Sequence, residues 1–259
     1  MKLFNQPLRL HHAIAIYLKT NLAKYLPGNI WHFYGRVEAI RKTGAELSLA
    51  TMIVLIEPLL MAIAAATTGA IALSWSFLQR QGSSDSWGGL MPLAPSHSWY
   101  GLMGAIAILG SLITIHPQVL STLLRLTGKL KNPNTNSPKT DQSSTTSIVI
   151  TAYPLVPLMA DVVYILMRGL GFIFVIMAVS STFSIANHWP MLFAGYSIAW
   201  VLGLIVPGAP GGLGVFEATI MILLGNTINA ALLISAIAIF RIVNTIAELL
   251  GAGIGVAIK

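Results

Sequence analysis

Between Trp200 and Gly225 a run of membrane-spanning hydrophobicity, W-V-L-G-L-I-V-P-G-A-P-G-G-L-G-V-F-E-A-T-I-M-I-L-L-G, is interrupted by Pro207, Gly208, Pro210, Gly211, Gly212 and Gly214, then resumes with Glu217 inside it. Proline lacks an N–H and clashes with the preceding turn, so a helix must stop and restart here. In hydrocarbon the freed backbone groups find no water, and such a break survives only where protein or a water-filled cavity covers it. The break therefore predicts a polytopic membrane protein with a covered polar site at this point.

The rest of the chain agrees. Of 259 residues 55% are hydrophobic and 9% charged, against roughly 25% charged in soluble domains. The absence of cysteine excludes disulfides, zinc-thiolate sites and cysteine nucleophiles. The opening M-K-L-F-N-Q-P-L-R-L-H-H has no apolar core or small-residue cleavage site, so it does not read as a signal peptide. The net charge of +7 comes from residues that flank apolar runs, where orientation and anionic headgroups account for it better than nucleic acid does.

The fold class expected is an all-α polytopic helical bundle forming one integral membrane domain over 1–259, with two broken, re-entrant segments that an inverted repeat would relate. Residues 1–46 read as a basic interfacial or re-entrant segment: helical spacing over 13–26, a stop at Pro27-Gly28, Asn29 as a cap, and a second helix from Ile30 toward Lys42. Spans are expected near 47–78 (kinked after Glu57 by Pro58), 99–120, 155–180, 189–206 and 228–258. Residues 213–224 are too few to cross and predict a half-helix, while 121–147, polar and low in complexity, read as a flexible linker. Lys and Arg before the first span and in the linker place both on the cytoplasmic side, and Trp75, Trp99 and Trp189 on the outer interface.

Set side by side, L-P-G-N-I-W-H-F-Y-G-R-V-E-A from Leu26 and V-P-G-A-P-G-G-L-G-V-F-E-A from Val206 match, with one gap, at Pro27/Pro207, Gly28/Gly208, Gly35/Gly214, Glu38/Glu217 and Ala39/Ala218. Paired interrupted segments in two halves point to a transporter built from repeats, although so short a match also arises by chance. K-Y-L-P-G-N-I-W-H-F-Y-G-R-V (24–37), P-G-G-L-G-V-F-E (210–217) and Phe240-Arg241 together resemble the lysylphosphatidylglycerol synthase transmembrane-region family, the flippase-like membrane part of MprF-type proteins. The resemblance covers essentially the whole chain and implies an inner-membrane protein related to phospholipid flippases. Two departures accompany it: no aminoacyl-transferase domain follows the last span, so lipid lysinylation is not expected, and only about 23 residues precede the first motif, a short, stand-alone form.

Candidate substrate-binding residues are Pro27, Gly28 and Arg36 of the first break and Pro207, Gly208, Gly211, Gly212, Gly214 and Glu217 of the second, with Arg241. The glycine loop either presents N–H groups to an anion or uses glycine for a tight turn alone. Glu217 either caps its helix or carries function, as ionisable groups at membrane depth do by default. Arg36, Arg41 and Lys42 follow the first break on a cytoplasmic surface, as headgroup contacts or topology anchors.

Glu57, Asp161, Arg168 and Glu248 form an expected intramembrane charge network. Facing lipid, each would cost about 2.5–3.5 kcal/mol. Arg241, Asn244, Thr245 and Glu248 share one helix face. Asp161 and Arg168, like Arg241 and Glu248, are seven apart with reversed sign, so parallel packing would pair Asp161 with Arg241 and Arg168 with Glu248. The six histidines show no ligand spacing and no catalytic triad order appears, so no metal, cofactor or catalytic residue is expected. The function read is a flippase-like transporter moving or binding an anionic phospholipid or lipid-linked headgroup. The alternatives are a membrane-embedded transferase and a non-transporting partner subunit. Expected partners are membrane lipids, a second copy of the chain or a separate lipid-modifying enzyme, and no nucleic acid.

Overall fold

The computed structural model describes residues 10–28, 30–79, 155–180, 184–186, 188–206 and 209–258. The expected span at 99–120, the linker 121–147, Asn29, Pro207 and Gly208 lie outside the described residues. Among the described residues seven α-helices form an all-α bundle: α1 Leu10–Asn21, α2 Trp31–Arg41, α3 Leu47–Gln79, α4 Leu155–Val179, α5 Trp189–Ile205, α6 Val215–Leu224 and α7 Ala230–Ala257. Short 3-10 turns at Leu22–Tyr25 and Pro210–Gly212 precede α2 and α6. Segments Leu47–Ser76, Leu155–Val179 and Ala230–Ala257 are long and apolar enough to cross a membrane. Helix α5, at 17 residues, reaches roughly 26 Å at its helical rise, a little under the roughly 30 Å hydrocarbon core.

Polar groups inside these helices look after themselves. Thr67, Thr68, Ser74 and Ser76 of α3 donate to carbonyls four residues back, so these four hydroxyls are paired within their own helix. Pro58 sits inside α3 and leaves the Val54 carbonyl without its N–H partner. Asn229 accepts from the Ala231 amide at 2.9 Å and caps α7, a start signal absent from the sequence reading.

Small residues set the helix crossings. A Cβ on Gly69 of α3 would stand 3.1 Å from Ser197 Cβ of α5, and one on Gly169 of α4 would stand 2.6 Å from the Phe193 ring. Backbones thereby approach closely where no hydrophobic effect drives association. Phe172, Tyr196, Phe216 and Phe240 pack edge to face or stacked at 5.4–6.2 Å between α4, α5, α6 and α7 and form the centre of the core. The Trp75 and Trp189 rings lie 6.4 Å apart at one end.

Two helical hairpins fill the bundle from opposite ends. α1 lies along the C-terminal half of α7, where Leu18 and Ala15 meet Gly255, and α2 packs back on α1 and runs along α3 through Ile40, Ala50 and Ile53. α5 and α6 form the second: Gly203 touches Gly212 near the break and Gly195 meets Leu224 near the other end, and Leu224 shares a core with Leu233 at the start of α7. The two tips meet midway along α7, where a Cβ on Gly211 would stand 3.0 Å from the Tyr25 ring. The breaks are therefore opposed in space, but the residue-by-residue match fails at Gly35. Gly35 lies inside α2 against Thr20, whereas Gly214 has φ +84° and starts α6.

Helices α4 and α7 run antiparallel, contrary to the parallel register expected. Arg168 faces Asn244 and Glu248, while Phe172, one turn later, packs on Phe240, so numbers rise along one helix as they fall along the other. Of the expected pairs, Arg168 with Glu248 forms, at 3.4 Å. Asp161 with Arg241 does not. Arg241 takes Glu217 instead, and Asp161 joins no ion pair among the described residues. Like-charge contact is avoided because the antiparallel register is offset, which moves Asp161 away from Glu248 and Arg168 away from Arg241.

Candidate functional site

The meeting of the two tips borders a half-open cavity of about 160 Å³, room for roughly five waters at about 30 Å³ each. Among the described residues, each of the three long apolar helices and both hairpins contribute to its wall, which carries four cations, Lys24, Arg36, Arg168 and Arg241, and the carboxylates Glu57 and Glu248.

The second break builds one side. Proline and glycine force the chain through positive φ at Gly211 and Gly212, which only glycine adopts readily. At Gly212 a side chain would also stand 3.1 Å from the Gly203 Cα. The amides of Gly212, Leu213 and Gly214 are already engaged, by Ala209 O, Pro210 O and Glu217 Oε2, so these three offer no N–H to an outside anion, against the nest reading. The loop instead presents carbonyls: Arg241 donates to Gly211 O at 2.9 Å and Gly212 O at 3.0 Å. Glu217 caps its helix, accepting from the Gly214 amide at 2.7 Å, and its other oxygen lies 2.6 Å from Arg241 Nε. The latter approach is too bent for a hydrogen bond and is an ion pair.

The first break builds the opposite side. Lys24 Nζ donates to Glu248 Oε1 at 2.7 Å and Tyr25 Oη to Glu248 Oε2 at 2.9 Å, which ties the tip of the hairpin to α7. Arg36 is buried rather than on a cytoplasmic surface. Its Nη1 lies 2.7 and 2.8 Å from the two Glu57 oxygens, its guanidinium stands 4.1 Å over the Tyr17 ring, and it fastens α2 to α3. Arg41 and Lys42 are exposed, as expected. Pro27 and Gly28 are exposed too and lie outside the cavity wall; the Pro27 carbonyl accepts from Trp31 Nε1 at 2.9 Å. Asp161 likewise lies outside it.

Arg168, from α4, donates to Tyr164 Oη at 2.6 Å and to Asn244 Oδ1. Beside it the Tyr196 hydroxyl is buried without a partner, as is His32 Nδ1 across the cavity. Burial, then the charges of Arg36 and Lys24, push the His32 pKa down to about 4, so the ring is neutral at pH 7. Its ordinary value of 6.5 applies once the chain unfolds, so the unfolded state binds the extra proton between those two pH values. His32 therefore makes the fold lose stability as pH falls from 6.5 to 4. Replacement by glutamine is expected to flatten that part of a melting-temperature curve against pH.

The sequence reading missed Lys24, Tyr25, His32 and Tyr196. Lys24 and Tyr25 stand directly before the first break, and proximity to a break is the signal that could have found them. Tyr196 and Ser197 are adjacent polar groups in the middle of an apolar helix.

Comparison with curated proteins and with solved structures returned no match. The family description "Lysylphosphatidylglycerol synthase TM region" matches residues 7–251, a stretch that takes in both hairpins, α3, α4, most of α7 and all of the cavity wall. With that extent of match the chain belongs to the lysylphosphatidylglycerol synthase transmembrane-region family.

Proposed function

We propose that this protein is a flippase-like transporter of the cell inner membrane, which binds the anionic headgroup of a phospholipid or lipid-linked substrate in the cavity and leaves the acyl chains in lipid. The observation that carries it is the meeting of two opposed hairpin tips around a cation-rich cavity at the middle of α7. The cavity is too small for a whole lipid, since pockets even for drug-sized ligands run to roughly 300–1,000 Å³, but it suits the charged part of a headgroup. The outer faces of α4 and α7 expose Val163, Met167, Phe174, Ile246, Leu249 and Leu250, a surface for acyl chains. Access from either side requires a tip to part from α7: Lys24 and Tyr25 from Glu248 for the first hairpin, Gly211 and Gly212 from Arg241 for the second. Arg36 and Arg241 act as binding residues, Gly211 and Gly212 hold the second latch through their carbonyls, and Glu217 sets its strength. The N-terminus is cytoplasmic, and membrane lipids are the partners.

The test is translocation by the purified full-length chain in vesicles carrying fluorescent phosphatidylglycerol, phosphatidylethanolamine or phosphatidylcholine. Movement of the anionic lipid above protein-free vesicles is expected; none for any headgroup overturns the reading. Glu217→Gln is expected to abolish movement with span number and expression intact. Loss of its capping role alone would cost about 1 kcal/mol of stability and leave translocation in place.

A further inference from the structure

Three of the four cations around the cavity have a carboxylate of their own. Lys24 holds Glu248 at 2.7 Å, Arg36 holds Glu57 at 2.7 Å, and Arg241 holds Glu217 at 2.6 Å. Arg168 has only a 3.4 Å share of the Glu248 already taken by Lys24; its closer partners, Tyr164 and Asn244, are neutral. Four cations less three carboxylates leave one positive charge among the described residues, and it sits on Arg168. The same wall includes Tyr196, a residue 1% exposed whose hydroxyl has no partner. Its ring is locked between Phe172, Phe216 and Phe240. A buried hydroxyl left unsatisfied is costly, and an uncompensated guanidinium at membrane depth costs more. One ligand relieves both.

We infer that Arg168 and Tyr196 form a subsite for one singly charged oxyanion, a phosphodiester in preference to a phosphomonoester. This rests on the lipid-binding reading above and narrows its substrate class. A diester brings one negative charge and neutralises the wall. A monoester near pH 8 brings close to two, which would leave a surplus negative charge beside Glu248. The oxyanion accepts from the Arg168 N–H groups that Tyr164 and Asn244 leave free and from the Tyr196 O–H, and the existing ion pairs stay in place. The bound state therefore keeps the latches at Lys24 and Arg241 closed; they open only to admit or release the ligand.

The test measures binding, by calorimetry at pH 8, to the full chain in phosphatidylcholine nanodiscs. The probes are dihexanoyl phosphatidylglycerol, dihexanoyl phosphatidic acid, chain-free glycerophosphoglycerol and inorganic phosphate. The diester lipid is expected to bind at least about tenfold more tightly than the monoester lipid, and Arg168→Gln to weaken it by about tenfold or more, the loss of a charge-assisted hydrogen bond. Tyr196→Phe is expected to weaken it severalfold while the melting temperature holds or rises, because the unsatisfied oxygen is gone. That combination is one a purely structural tyrosine would not give, and it decides the matter if Arg168→Gln fails to fold. Arg41→Gln, on the exposed surface, is the control and should bind as the unaltered protein does. Equal binding of glycerophosphoglycerol upholds the subsite and makes its ligand a soluble diester. Diester binding within twofold of the unaltered protein in Tyr196→Phe, or in a folded Arg168→Gln, overturns the subsite alone, as does tighter binding of the monoester or of inorganic phosphate. No binding of any probe to the unaltered protein overturns the lipid reading and the subsite with it.

Discussion

Arg36→Gln is expected to destabilise the protein by about 3 kcal/mol, the lower end of the cost of leaving one buried charge without its partner. The lower end applies because the Glu57 side chain keeps 31% of its exposure while that of Arg36 keeps 7%. For a chain of this size the loss corresponds to a melting temperature lower by roughly 6–12 °C. Two effects add: Glu57 is left as an unpaired carboxylate in a spanning helix, and α2 loses both its fastening to α3 and its cation–π contact with Tyr17. Adding Glu57→Gln is expected to restore part of the loss, since two neutral amides can bond each other and no charge is stranded. A double variant as unstable as the sum of the singles would show that the two side chains act independently, against the geometry.

Gly255→Leu is expected to undock the first hairpin, whereas Gly253→Leu, two residues away on the same helix, should be close to neutral. At Gly255 even a Cβ would stand 2.8 Å from Leu18 Cβ, 3.2 Å from Ala15 O and 3.4 Å from the Lys19 amide. These are backbone atoms or atoms next to it, so no side-chain rotation relieves the clash. At Gly253 nothing lies within 4 Å, and a leucine there faces lipid. Overpacking a close helix contact costs about 1–3 kcal/mol, and here relief comes by moving α1 off α7. That motion carries Lys24 and Tyr25 away from Glu248 and opens one wall of the cavity. Hydrogen exchange over residues 10–25 should rise in Gly255→Leu and stay unchanged in Gly253→Leu. Similar exchange in the two variants would mean that α1 is not held through this contact.

The sequence by itself determined that this is a membrane protein with an interrupted helix at 207–214, because Pro and Gly act on their own turn of backbone and no packing can restore the missing N–H. It also determined that Arg241, Asn244 and Glu248 face one way, since helical periodicity fixes relative directions on a single helix. All three do line the cavity. What periodicity leaves open is which neighbour that face meets and in which direction the neighbour runs. The antiparallel register of α4 and α7, with Glu217 rather than Asp161 against Arg241, follows from helix packing set by glycine contacts and the aromatic core. The burial of Arg36 was hidden for a related reason: α2 carries charge all round, and only the glycine-rich tip of the other hairpin and the position of Glu57 on α3 decide which of its cations turns inward. The link from Lys24 to Glu248, 224 residues apart, and the unsatisfied hydroxyl of Tyr196 exist only once the tips meet, because a partner, or the lack of one, is a property of the assembled cavity and not of any segment that lines it.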